Sequence, residues 1–178
     1  MAQSTFQGPI RSLNGLYTQG PGSIVTVGGS TLTVDPALHG GRVLNITAAT
    51  TTITLPAVNV TADPNSSGPG SDPNTLNNQG VVYTFFVATT ATTVKVITAA
   101  SQYMLGQVIT GISATTPAGS IVMYAANGTT IRSLNLNGTT TGGIAGSFFT
   151  LTATAANTYM VYGKLIGSGT LATPFATS

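Results

Sequence analysis

Alternating apolar and polar positions dominate the chain and give its first structural signal. From Ser23 the sequence reads SIVTV, then Gly28–Gly29, then STLTV, so two runs of period two flank a pair of glycines. Strict alternation is typical of a half-buried strand, and a two-glycine connection suits the twist of a hairpin. The pattern therefore predicts a hairpin here. The run SIVMYAA, Asn127–Gly128, TTIRSLNL predicts a second one.

Further strands follow from the same alternation. RVLNIT predicts one strand, and TTTITLP predicts the next, which ends at Pro56 because proline cannot donate to a central ladder. In TTVKVITA, Lys95 lies between Val94 and Val96, so its ammonium group is expected on the face opposite the two valines.

The remaining apolar runs are longer. VVYTFFVA, residues 81–88, is more continuously apolar than the other runs and predicts a strand buried on both faces. FFTLTAT and TYMVYGKLIG predict two closing strands joined by a short connection that contains Asn157. No stretch places apolar residues at helical spacing, so helix is limited to a turn or two, near Gln102 to Leu105. No segment recurs at a fixed interval.

About ten short strands predict a single all-β domain, either a β-sandwich or a partly closed β-barrel, with the strand order left open. We assign this domain to residues 23–166. Residues 1–22 show turn signals but little alternation and are predicted to form an extended N-terminal arm, and residues 167–178 a C-terminal tail. Residues 61–80 lack periodicity and predict a long projecting loop.

Charge is nearly absent from this chain of 178 residues, of which 4% are charged. Five cations spread along the sequence form no basic cluster, which excludes a nucleic-acid partner. No apolar run approaches the roughly 18 residues needed to span a bilayer, so no membrane partner is expected. The start lacks the pattern of a secretory signal, which predicts a product made in the cytoplasm.

Candidate chemistry is equally sparse. Asp35, Asp63 and Asp72 each precede a proline, where aspartate commonly serves to enter a turn or loop. His39 is the only histidine, and without cysteine or glutamate one chain has no zinc-binding set. We therefore expect no enzyme activity, no cofactor and no metal. The tyrosines in strands are expected in the core or at interfaces, with sugar binding as the less favoured reading.

So few charges are unusual for the surface of a free soluble protein, and they predict a protein that works within an assembly. The arm suits docking on a partner: Phe6 and Ile10 are apolar anchors, Pro9 limits backbone entropy and Arg11 offers a planar set of donors. The alternative is that residues 1–22 fold back onto their own domain.

Several segments, in order, resemble a family of small structural proteins of tailed bacteriophages, including those of cyanophages, that decorate or cement the capsid. The resemblance is carried by FQGPIRSLNGL from Phe6 to Leu16, and then by HGGRVLNI, TITLP and GVVYTFFVATTATTVKVITA. It continues through LNGTTTGGIAGSFFTLTA and GSGTLATPFA. The chain departs from the family pattern at residues 61–80, where a shorter connection is expected.

The resemblance implies a non-enzymatic virion protein on the capsid exterior, a homotrimer that bridges subunits of the major capsid protein. By the same analogy the arm grips the shell through Phe6, Pro9, Ile10, Arg11 and Leu13. Pro174 and Phe175 in the tail would contact a neighbouring subunit. The alternative function is a head-fibre or tail receptor-binding domain that engages host-surface glycans through the 61–80 loop and exposed tyrosines.

Overall fold

The structure, a computed structural model, describes residues 21–60, 78–112 and 119–178. A 3-10 turn at Pro21–Ser23 precedes the first strand, and the only α-helix in these ranges is α1, Pro36–His39. The strands are β1 Ile24–Val27, β2 Thr31–Thr33, β3 Val43–Ile46, β4 Thr50–Thr54, β5 Val82–Val87, β6 Thr93–Ile97, β7 Tyr103–Ile112, β8 Ile121–Asn127, β9 Ser133–Leu136, β10 Phe148–Ala155, β11 Thr158–Gly167 and β12 Phe175–Ala176.

Two mixed sheets pack face to face as a β-sandwich, so the all-β prediction is confirmed. The larger sheet has seven strands in the order β1-β3-β5-β10-β11-β7-β8, and the smaller has five in the order β12-β9-β6-β4-β2. The core between them is apolar and aromatic. Phe85 and Phe149 stack there with ring centroids 4.9 Å apart, and both are fully buried.

The first six strands alternate between the two sheets and form three stacked coils. Within each coil one strand lies in the seven-stranded sheet and the next lies in the five-stranded sheet: β1 with β2, β3 with β4, and β5 with β6. Successive coils pair in parallel in both sheets. The partners Ile24, Val43 and Thr84 are 19 and 41 residues apart, so unequal coil lengths hide this repeat in the sequence.

Both predicted hairpins are wrong, because each pair of strands is divided between the sheets. Gly28–Gly29 turns the corner from β1 to β2, and neither glycine has the positive φ that the tight hairpin turns require. Asn127 caps a second corner, where its Oδ1 accepts hydrogen bonds from the backbone N–H groups of Thr129 and Thr130. The antiparallel pair β10–β11, joined around Asn157, does match the predicted close of the domain.

Two further predictions are decided by the described residues. Lys95 lies opposite Val94 and Val96, which are buried, as the alternation predicted. The helical turn near Gln102 is wrong, because β7 begins at Tyr103 and α1 is the one α-helix of the described residues. Gln102 instead links two segments: its Oε1 accepts from Val58 N at 3.0 Å and its Nε2 donates to Asn157 Oδ1 at 2.8 Å.

Candidate interaction face

The outward-facing side of the seven-stranded sheet carries most of the large apolar side chains that the described residues leave exposed. Eleven such side chains are exposed, and nine of them lie on this side. They are Ile24, Val82, Phe86, Leu105, Ile121, Met123, Phe148, Met160 and Tyr162. Ile121 is the most exposed, at 77%. We call this surface the apolar face.

Strand alternation places these side chains. In β5, Phe85 points into the core and is fully buried, whereas Phe86 points outward and is 41% exposed. In β11, Tyr159 is buried and Met160 is exposed for the same reason. Both sides of these strands are therefore apolar, but only one side is covered by the five-stranded sheet.

The strand register makes the apolar face continuous. Phe86 lies beside Phe148, Phe148 beside Lys164, Lys164 beside Ile109, and Ile109 beside Met123, so one row crosses five strands. Directly opposed residues on one side of a sheet have Cβ atoms about 4.5–5.5 Å apart. Three of the nine exposed side chains, Phe86, Phe148 and Met123, thus lie in one row, with Lys164 and Ile109 between them.

A depression at one end of the apolar face combines apolar walls with a single charge. It is open, has a volume of about 390 Å³, and is lined by Ile109, Gly111, Ile121, Lys164 and Leu165. Lys164 is the only charged residue in the seven strands of this sheet. The depression therefore suits an apolar side chain of a partner, with an acceptor placed to meet the ammonium group.

The outer side of the five-stranded sheet has a different chemistry. Strands β2, β4 and β6 present hydroxyl groups on this side, from Thr31, Thr33, Thr50, Thr52, Thr54 and Thr93. An open groove of about 330 Å³ next to them is lined in part by Lys95, Asn135 and Asn137. The sandwich thus has one apolar outer side and one hydroxyl-rich outer side.

The described acid and the histidine have structural roles. Asp35 caps α1, because its Oδ1 accepts from the backbone N–H groups of Ala37 and Leu38, as its position before proline predicted. His39 Nδ1 lies 2.8 Å from the backbone nitrogen of Asp35, in the same turn. Asp63 and Asp72 lie outside the described residues. Among the residues described, no group of three or more His, Cys, Asp or Glu side chains is placed to hold a metal ion.

Two tyrosines are buried side by side in the core. The rings of Tyr83 and Tyr159 have centroids 6.4 Å apart, and the Tyr159 hydroxyl donates to the Pro56 carbonyl oxygen at 2.8 Å. The Tyr83 hydroxyl is buried and has no hydrogen-bond partner among the described residues. Burial, and secondarily the Asp35 carboxylate, raises the pKa of Tyr83 to about 12. Burial, and secondarily Tyr83, also raises the pKa of Tyr159.

These raised pKa values predict alkaline destabilisation. The folded protein keeps both phenols neutral above pH 10, where the unfolded chain ionises them, so their contribution is intact below about pH 10 and is lost as the pH rises toward 12. We expect the urea midpoint to fall over this interval, and to fall less in Tyr83→Phe. Tyr162→Phe changes an exposed position, so its urea midpoint should fall as much as that of the unchanged protein. An equal fall in all three would contradict the assignment.

The predicted arm residues Phe6, Pro9, Ile10, Arg11 and Leu13 lie outside the described residues, as does most of the predicted 61–80 loop. Their role in capsid binding stays a prediction.

Pro174 and Phe175 lie in the chain's own sandwich. Phe175 belongs to β12, which pairs with β9, and the Pro174 carbonyl oxygen accepts from Asn135 N at 2.7 Å. Phe175 is 6% exposed and packs in the core. These contacts tie the end of the chain to the five-stranded sheet, and an inter-subunit role for the two residues stays a prediction.

Sequence reasoning missed the residues of the apolar face. The run VVYTFFVA predicted burial on both faces, and this is wrong: Val82 is 37% exposed, and Phe86, four residues later in the same strand, is 41% exposed. The signal that could have found the face is that β5 and β11 carry large apolar residues at both alternate positions, as β10 does at Phe148 and Phe149. Such strands need a cover on each side, which the chain's own second sheet supplies on only one.

Comparisons of the chain with protein-family models, with curated proteins and with solved structures find no match. Within the described ranges, no helix has the length and apolar character to cross a bilayer.

Proposed function

We propose that the chain is a non-enzymatic structural protein of a tailed-phage virion, which decorates the capsid exterior and cements it by bridging major capsid subunits. The observation that carries this proposal is the apolar face, nine large apolar side chains on one outer side of the sandwich. Contiguous exposed apolar patches mark protein interaction sites, because water makes their exposure unfavourable. The sequence resemblance is the reason for proposing the major capsid protein as the partner.

The composition of the apolar face fits a binding surface. Phenylalanine, tyrosine and methionine are enriched at interfaces and charged residues are depleted at their centres. Phe86, Phe148, Met160 and Tyr162 supply the first group, and Lys164 is the single charge. A partner surface that is mainly apolar, with an acceptor opposite Lys164, would be complementary.

Symmetry would strengthen the attachment. In the proposed homotrimer, each subunit presents its own apolar face and its own N-terminal arm, so the contacts to the shell are repeated three times around the axis. Linked weak contacts act at high effective concentration, and modest affinity at each site becomes strong overall attachment. The capsid would thus be cemented by many weak contacts, repeated in each subunit of the trimer, rather than by one tight binding site.

The test compares the same added charge on the two outer sides of the sandwich. Met160→Glu places a carboxylate on the apolar face, and Thr52→Glu places one on the hydroxyl-rich side. Particles of the phage that encodes the chain are stripped of it and incubated with each full-length variant, and co-sedimentation is measured. We expect Met160→Glu to weaken binding at least about tenfold, because an unpaired charge buried at an interface costs several kcal/mol.

Thr52→Glu is the matched control and should bind like the unchanged chain. Circular dichroism of both variants checks that the sandwich is intact. Equal binding by the two variants would remove the apolar face from the proposal.

The head-fibre or receptor-binding alternative has one supporting feature, the open groove to which Lys95, Asn135 and Asn137 contribute polar groups. Ammonium and amide groups are suited to hydrogen-bonding a glycan. Copy number separates the two functions: hundreds of copies per particle indicate cement, and a dozen or fewer indicate a fibre. Quantitative mass spectrometry of purified particles measures it.

A further inference from the structure

One edge of the seven-stranded sheet is long and unprotected. β8 is the outermost strand there, and no described strand pairs with its outer side. The other strands that end a sheet, β1, β2 and β12, have four, three and two residues, whereas β8 has seven. Proteins commonly prevent edge pairing with short edge strands, charged side chains or prolines. β8, with the sequence IVMYAAN, has neither a charge nor a proline.

The hydrogen bonds to β7 show which backbone groups of β8 point to the open edge. At one end of the pairing the Gly128 N–H donates to the Met104 carbonyl oxygen at 2.8 Å, and at the other the Ile112 N–H donates to the Ser120 carbonyl oxygen at 3.0 Å. In an antiparallel pair, residues that bond to the neighbouring strand alternate with residues that do not. Even-numbered residues of β8 therefore bond to β7. The outward N–H and C=O groups are those of Ile121, Met123, Ala125 and Asn127.

Apolar burial is also incomplete at this edge. Tyr124 packs against the core but is only partly buried, as is Val122. At an inward position of the more central strand β5, Phe85 is fully buried. On the other side of the sheet, Ile121 and Met123 are exposed. A further strand beside β8 would therefore cover apolar side chains on both sides of the sheet.

We propose that β8 pairs edge to edge with β8 of a second copy of this chain, antiparallel across a two-fold axis at Tyr124. This symmetry sets odd-numbered residues opposite odd-numbered ones, so the outward N–H and C=O groups of the two copies meet. The two seven-stranded sheets then form one continuous sheet, with both apolar faces on the same side. This inference does not depend on the proposed virion function; in the proposed assembly the contact would link one trimer to the next.

The side chains of β8 suit pairing with the same strand. Met123 would lie beside Ala125 of the second copy, and Val122 beside Ala126 of the second copy, so a large side chain meets a small one on each side of the sheet. Tyr124 would meet Tyr124 of the second copy, and aromatic pairs across strands are favourable. Because β8 carries no charge, it meets itself without like-charge repulsion. A second copy is therefore the partner that we assign to this edge.

Met123→Pro tests the pairing because proline has no N–H to donate. The Met123 N–H points to the open edge, so the substitution removes an edge donor and leaves the hydrogen bonds to β7 in place. Met123→Leu is the matched control, since it keeps both the N–H and an apolar side chain. Sedimentation equilibrium of the full-length proteins over a range of concentrations measures their mass, and circular dichroism checks the sandwich.

We expect the unchanged chain and Met123→Leu to associate reversibly to at least about twice the mass of Met123→Pro. Equal masses for the three proteins would overturn the proposal. Met160→Glu, which changes the apolar face in β11, should associate like the unchanged chain. Loss of association in Met160→Glu but not in Met123→Pro would assign the contact to the apolar face and would likewise overturn it.

Hydrogen exchange in the unchanged chain, followed by NMR, gives a second measurement that needs no variant. The amides of Met123 and Ala125 point to the edge, whereas those of Val122 and Tyr124 bond to β7. We expect the protection of the first pair to rise at least about tenfold from dilute to concentrated protein, and that of the second pair to stay constant. Protection of Met123 and Ala125 that does not change with concentration, whether high or low, would contradict pairing with a second copy.

Discussion

Replacing Phe149 with alanine is expected to lower the free energy of unfolding by about 3–5 kcal/mol, because it removes a buried ring and leaves a cavity. Phe149 is fully buried and stacks on Phe85. Its sequence neighbour Phe148 is 39% exposed on the apolar face, so Phe148→Ala should change the same quantity by less than about 1 kcal/mol. Urea unfolding followed by circular dichroism, at a concentration where copies do not associate, measures both.

When binding is measured in place of stability, Phe148→Ala should have the larger effect and Phe149→Ala the smaller. Phe148 lies in the row of the apolar face between Phe86 and Lys164, where loss of an anchoring ring at an interface costs about 2 kcal/mol or more. The folded fraction of Phe149→Ala keeps Phe148 and should bind normally. If Phe148→Ala destabilises the isolated chain as strongly as Phe149→Ala, the apolar face is covered within the chain and is no interface.

The sequence was sufficient to predict the fold class because alternation reports which side of a strand is covered. In β4, Ile53 is buried while Thr50 and Thr52 are exposed, as the reading of TTTITLP predicted. Threonine suits this pattern because its branched side chain favours strands and its hydroxyl tolerates water. The information is local, so it survives without knowledge of the neighbouring strands.

Strand pairing was not predictable from the same pattern. Alternation in SIVTV and STLTV is identical whether the two strands lie side by side in one sheet or face each other across a sandwich. The glycines at 28 and 29 permit a tight hairpin turn, but the chain uses them at a corner where φ is not positive. The parallel coils depend on contacts between strands far apart in sequence, which a local pattern does not specify.

The apolar face was missed for a related reason. A strand that is apolar at every position needs cover on both sides, and the sequence does not say whether that cover comes from the same chain. In β5 the inner side meets Phe149 and the core, while Phe86 on the outer side meets no second layer of the described residues. A continuously apolar strand is therefore also the expected signature of an assembly interface.

Replacing Gly106 with alanine is expected to destabilise the sandwich by about 2–6 kcal/mol, since it combines backbone strain with a steric clash. Gly106 has φ +133°, and an added Cβ would contact the backbone carbonyl oxygen of Val161. No side-chain rotation relieves a contact with backbone, so β7 would have to move away from β11, with which it pairs over Tyr103 to Ile112.

Gly111 in the same strand is the matched control for that substitution. It has no positive φ, and an added Cβ would meet only Ile121 Cγ1, at an ordinary 3.9 Å. Gly111→Ala should therefore change the free energy of unfolding by less than about 1 kcal/mol. Alanine also loses less conformational entropy than glycine when the strand folds, which favours the variant. Urea unfolding of both variants makes the comparison. Equal losses would mean that the close approach of β7 to β11 at Gly106 is not what requires glycine there.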